Sequence, residues 1–160
     1  MKTAPPRPSM LFEKETVLDY HDGDLLVLRL RTTYMERWAG SERIFVRPVD
    51  VEIFDSTATR AATLVADSGL LDDHFKILRT YGNVQGRSKD GASIRSDSLV
   101  YEKERDQIFT DAFVRVVTSS GDVLQGRGLI SDGRLNNWKI VSEVRAIFQD
   151  AEHRSKQVME

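Results

Sequence analysis

The chain has 160 residues, 40% of them hydrophobic and 30% charged, with a formal net charge of -2. That length supports one domain with a real core, and the near-neutral balance leaves no basic footprint for nucleic acid. Cysteine is absent, which removes disulfides, thiolate catalysis and cysteine-based zinc sites, and no apolar run approaches the ~20 residues of a membrane-spanning helix.

Residues 1–10 (MKTAPPRPSM) carry Pro5, Pro6 and Pro8 and read as a disordered linker. They contain no apolar segment of the kind a signal peptide needs. Residues 11–24 are mixed, with a turn at Asp22-Gly23-Asp24. From Leu25 onward the pattern predicts strands near 25–34, 43–54, 62–71, 75–87, 92–101, 107–118, 123–131 and 137–148. The connections hold turn residues, among them Ala39-Gly40-Ser41, Asp72-Asp73, Lys89-Asp90-Gly91 and Ser131-Asp132-Gly133. Residues 151–160 form a charged tail. The expected class is all-β, with a single domain over 11–150.

A repeat of 30 residues runs through the second half. Leu64, Ile94 and Leu124 stand 30 apart, as do Ala66, Ser96 and Gly126, and Val84, Val114 and Val144. A fixed period of this size marks one supersecondary unit used several times. Each unit reads as two strands, so the chain is expected to be a stack of antiparallel hairpins with two exposed edge strands, near 25–34 and 137–148. Exposed edges are templates for another strand. The last of them, from Asn137 to Phe148, has no proline and alternates well. Folding back of residues 11–24 or of the tail over an edge is the plain alternative.

Alternation gives the faces. Even positions such as Leu64, Leu70, Leu78, Thr80, Val84, Ile94, Ser96, Val100, Ile108, Thr110, Val114, Val116, Leu124, Ile130, Ile140, Val144 and Phe148 are uncharged, and often small at strand centres. Odd positions hold most of the charges, together with Tyr81, Leu99, Tyr101, Phe113 and Leu129. An even period keeps this parity from repeat to repeat, so all inner faces are expected to align. Val49, Val51 and Ile53 require one change of phase, and Pro48 sits where it should occur. The even stripe is either a filled core or an apolar trough with room for a ligand.

Other constellations are weak. His21, His74 and His153 lack metal-ligand spacing. Asp19, Asp22 and Asp24 lack the order and closing Glu of a calcium loop. Gly126-Arg127-Gly128 lies inside a strand rather than in a phosphate-binding turn, and no nucleophile motif occurs. No enzyme activity, metal or cofactor is expected.

The segment RTYGNVQGRSKDGASIRSDSLVYEKERDQIFTDAFVRVV, followed by GDVLQGRGLISDGRLNNWKIVSEVRAIF, resembles the LptC family of lipopolysaccharide-export bridge proteins, related to LptA and the amino-terminal domain of LptD. The points of likeness are the Tyr81-Gly82-x-Val84 step, the glycine run from Gly121 to Gly128 and the strand ending near Phe148. The resemblance covers roughly residues 11–150. It implies an open β-jellyroll, or β-taco, whose apolar interior shields lipid A acyl chains. It implies a periplasmic, inner-membrane-associated protein that receives lipopolysaccharide from the LptB/LptF/LptG transporter at its amino-terminal edge and passes it to LptA at its carboxy-terminal edge. On this reading the groove is lined by Leu64, Leu78, Val84, Ile94, Ile108, Val114, Val116, Leu124, Ile140, Val144 and Phe148, with Gly82, Gly126 and Gly128 as structural glycines. The resemblance leads one to expect a membrane-spanning helix at the start that this sequence does not show: either the anchor has been removed, for which the proline-rich start would suit a linker, or this member is soluble like LptA. Two other readings stay open: an edge-pairing envelope scaffold, which could also self-associate, and a carbohydrate-binding sandwich, for which only Trp38 and Trp138 offer platforms.

Overall fold

The computed structural model describes residues 8–72 and 75–148. Its strands are Pro8–Phe12 (β1), Thr16–Asp22 (β2), Leu25–Thr32 (β3), Tyr34–Trp38 (β4), Arg43–Arg47 (β5), Val49–Phe54 (β6), Arg60–Ala66 (β7), Ser68–Asp72 (β8), Ile77–Ser88 (β9), Ser93–Glu102 (β10), Gln107–Val117 (β11), Val123–Asp132 (β12) and Trp138–Ile147 (β13). Every pairing is antiparallel. β1 lies on β4 and β2 on β3; β3 lies on β6 and β4 on β5; β6 lies on β7 and β5 on β8. β7 and β8 both lie on β9, and β10 to β13 follow in order.

This pairing is a meander of bent strands. β1 with β2, β3 with β4, β5 with β6 and β7 with β8 are each the two arms of one V, and β9 to β13 are one V apiece, nine in all among the described residues. One set of arms (β1, β4, β5, β8 and the early half of β9) makes one layer. The other set (β2, β3, β6, β7 and the late half of β9) makes the second. The bends line up as a spine, and the hairpin turns line the opposite side, the mouth. From Gly82 through Asp97, Ala112 and Arg127 to Ser142 the chain meets the spine at 15-residue steps. A 30-residue repeat is therefore two V strands.

Bulges make the bends. The ladders break between Ser96 and Ser98, between Thr110 and Phe113, and between Gln125 and Arg127. Small hydroxyl residues sit at these breaks and supply the bonds the ladder cannot. Thr80 Oγ1 donates to the Leu99 carbonyl at 2.7 Å, and Ser96 Oγ donates to the Phe113 carbonyl at 2.9 Å. Thr110 Oγ1 accepts from the Ala112 amide at 3.1 Å and pairs with Ser98 Oγ. The small polar centres of the strands thus serve the spine.

A one-residue bulge also reverses which side chains face in. β9 and β11 keep even positions buried on both sides of the bend, as expected, with Gly82 and Ala112 half-buried at the bend itself. β10 changes from Ile94 and Ser96 to Leu99 and Tyr101, and β12 changes from Gly126 to Leu129 and Ser131. β8 is also shifted, with Gly69 and Leu71 inward. Uniform even parity is therefore corrected: Leu70, Val100 and Ile130 turn away from the core, while Leu99, Tyr101 and Leu129 belong to it. The phase change at Pro48 is present, between buried Val46 and buried Val49, and the Arg47-Pro48 peptide is cis.

Two expectations about the amino terminus change. Pro8 opens β1 inside the segment read as a linker; a proline needs no ladder donor at the start of an edge strand. The amino-terminal edge is β1 and β2 rather than the strand near 25–34, because β2 covers β3 with Leu18 opposite Leu30 and Tyr20 opposite Leu28. Asp73, His74 and the tail 151–160 lie outside the described residues.

Candidate functional site

The interior between the two layers is the site the sequence singles out. Leu64, Leu78, Val84, Ile94, Ile108, Val114, Val116 and Ile140 are buried in one continuous apolar core, and Leu124 packs half-buried against it. The layers close on each other, so these side chains fill the space between them. Met35, Val46, Val51, Leu71, Leu99 and Leu129 complete the filling and were not among the groove candidates.

The same inner surface runs out uncovered at β13. Ala146 stands opposite Leu124, and the Val144 backbone lies beside Gly126, which places this arm on the inner side. Among the described residues no further strand lies over it, and Val144 is 56% exposed and Phe148 63% exposed. At the other end Phe12 of β1 stands opposite the buried Met35 and is itself exposed. Val144 and Phe148 therefore differ from the other groove candidates in lying at an open end.

The mouth is closed by contacts between layers. Leu135, in the turn between β12 and β13 of one layer, is 2% exposed and lies against Gly86 of the other, where a Cβ would come within 2.8 Å of its Cδ1. Asp132 holds that turn: its carboxylate accepts from the Arg134 amide at 3.2 Å, the Asn136 amide at 3.0 Å and the Asn137 side chain at 3.1 Å. Nearby, the Tyr20 ring of β2 lies 6.1 Å from Phe75, and Lys103 Nζ sits 3.6 Å above it. Leu135 carries no periodic signal, since it is a lone leucine in a polar turn, and sequence reasoning missed it.

Three glycines sit where strands approach closely. A Cβ on Gly82 would lie 2.6 Å from Asp67 Oδ2, and the Gly82 φ of +80° is itself a region that favours glycine. A Cβ on Gly126 would strike the Ile140 side chain and come within 2.8 Å of the Ser142 carbonyl. Gly128 has a φ of +83° and lies under Val141.

Charges stay outside the core. The Arg29 guanidinium donates to Asp19 at 2.8 Å and 3.0 Å across the β2–β3 ladder, and that hydrogen bonding holds the Asp19 carboxyl below its ordinary pKa. Burial pushes the Tyr101 phenol up to about 12. Among the described residues no three histidine, aspartate or glutamate side chains converge as metal ligands.

A family model described as "Lipopolysaccharide-assembly, LptC-related" matches residues 2–149, nearly the whole sequence. The chain belongs to the LptC-related family. Membership places this LptC-family protein in lipopolysaccharide transport. Its fold is similar to the crystal structure of LptH, the LptA-homologous periplasmic component of the lipopolysaccharide transport device of Pseudomonas aeruginosa. The TM-score is 0.58 at 11% identity, over 76% of this chain and 94% of that one. The likeness extends to the fold alone at that identity, and it is the open antiparallel β-jellyroll expected from the sequence. No curated protein matches by sequence.

Proposed function

We propose that this LptC-family protein is a periplasmic bridge segment that takes lipopolysaccharide from the inner-membrane LptB/LptF/LptG transporter and passes it to LptA, with the acyl chains held between its two layers. The observation that carries the reading is the apolar interior that continues to both edges and is uncovered at Val144 and Phe148. Burial of each CH₂ stabilises a lipid complex by about 0.8 kcal/mol, so a carrier that enclosed several acyl chains alone would release them slowly. A groove that abuts another of like composition removes that obstacle, because the chain leaves one apolar surface as it enters the next. β13 would offer its free edge to LptA, and β1 with β2 would face the transporter.

Entry requires the layers to part, since the interior is filled. The mouth is the place where parting disrupts least, because side chains bridge it, whereas at the spine the backbone of each V strand passes from one layer into the other. A photoreactive residue at position 144 tests the reading directly, with position 65 on the outer face as control. Incubation with labelled lipopolysaccharide should label the former and not the latter. Labelling of neither by a folded protein would favour the edge-pairing scaffold. Val144→Arg is the matching substitution: an exposed site tolerates the charge, whereas Arg at the fully buried Val114 would unfold the domain.

A further inference from the structure

On the outer face of the second layer, two arginines stand directly opposite each other. Arg95 of β10 pairs in register with Arg115 of β11. The row continues on either side as Gln85 of β9 and Gln125 of β12, then Arg145 of β13. Like charges in direct cross-strand opposition destabilise a sheet. Among the described residues neither Arg95 nor Arg115 has an ion-pair partner. Asp97 lies two residues along β10 and forms no ion pair with either, so the pair keeps a net positive charge.

The two guanidinium groups border an open concavity of about 420 Å³, lined also by Asn83, Gln85, Asp97 and Phe113. Phe113 is 50% exposed in a strand whose other face is core, so an apolar flank stands beside the cationic pair. Asn83 is fixed by its bond to Asp67 Oδ2 at 2.8 Å, which holds this side of the concavity. Two guanidinium groups at cross-strand spacing match the oxygens of one tetrahedral dianion, and such charge-assisted bonds are the strong ones.

We propose that this outer concavity is a binding site for a phosphate group, clamped between Arg95 and Arg115 with Phe113 against its carrier. The site is separate from the interior, since the strands interpose their backbones, and it does not depend on the interior holding acyl chains. The phosphate is either that of a lipid headgroup or that of a soluble compound.

The test titrates the full chain with inorganic pyrophosphate, followed by amide NMR shifts. Phosphatidylcholine vesicles with and without phosphatidylglycerol are assayed in parallel by flotation. Pyrophosphate shifts centred on Gln85, Arg95 and Arg115, weakened at least about tenfold in R95Q/R115Q but not in the charge-matched R105Q/R134Q, are the expected result. Flotation with the phosphatidylglycerol vesicles that R95Q/R115Q also loses would identify a headgroup as the source; pyrophosphate binding without flotation would identify a soluble phosphate. Equal loss in both double variants, or no response to pyrophosphate and vesicles alike, would overturn the site. All four arginines are exposed, so the variants keep the fold.

Discussion

An alanine at Gly126 would press its methyl group onto the Ile140 side chain and the Ser142 carbonyl, both held by β13. Overpacking of this kind costs about 1–3 kcal/mol, so Gly126→Ala should lower the denaturation midpoint by that amount, and an unchanged midpoint would mean β13 yields freely. Two titrating groups make the stability pH-dependent. Tyr101 is pushed up to about 12 in the folded chain, so its contribution is complete below the unfolded value of 10.0 and is lost as pH rises through 12. Tyr101→Phe should flatten that alkaline loss, by on the order of 2 kcal/mol at its end, in unfolding curves compared with the parent. Asp19 acts with the opposite sign: its lowered pKa stabilises the fold above the ordinary carboxylate range, and the effect fades as pH falls through its folded value.

At the scale of the element, the bent strand explains what sequence could and could not reveal. Strand positions from Ile77 on, the 30-residue period and the turn residues were legible because period-two alternation and turn chemistry are local, whereas β4 was missed and the bends dividing 43–54 and 62–71 into two arms each were not seen as strand breaks. The inward face was legible only between bends. A one-residue bulge leaves no mark on composition, so Leu99, Tyr101 and Leu129 read as outward although the structure buries them. β1 and β2 were obscured by the prolines at 5, 6 and 8 and by the short length of each arm. The spine hydroxyls are the element's weak point. Thr80→Val keeps shape but strands the Leu99 carbonyl in a buried setting, and should cost about 1–3 kcal/mol by chemical denaturation; no loss would mean another donor reaches that carbonyl. β13 is the other exposed feature of this scale. Lysines blunt edge strands, so the pair Val141→Lys and Ile147→Lys should weaken capture of an LptA partner while leaving the far-ultraviolet circular dichroism intact. Undiminished capture would place the junction elsewhere.

Across the whole molecule, stability and the proposed lipid access would meet at the mouth. Leu135→Ala removes one of the side chains that tie one layer to the other, at a cost of about 2–3 kcal/mol, and should speed lipopolysaccharide uptake in a stopped-flow assay even as the midpoint falls. Slower uptake by a folded variant would move the entrance away from the mouth. The number of V strands also has a consequence. Neighbours in a meander run in opposite senses, and the described residues form nine, an odd number, so the first and the last of these point the same way. A successor of the same design, joined head to tail with its spine in line and its trough continuous, must therefore lay its first V alongside β13 in parallel, with evenly spaced, slanted hydrogen bonds. Two copies joined through the same end would instead be antiparallel and related by a twofold axis, and such a pair offers no free β13 to continue the line. The parity of the strand count thus gives a file of these domains an arrow, with every member facing the same direction of travel.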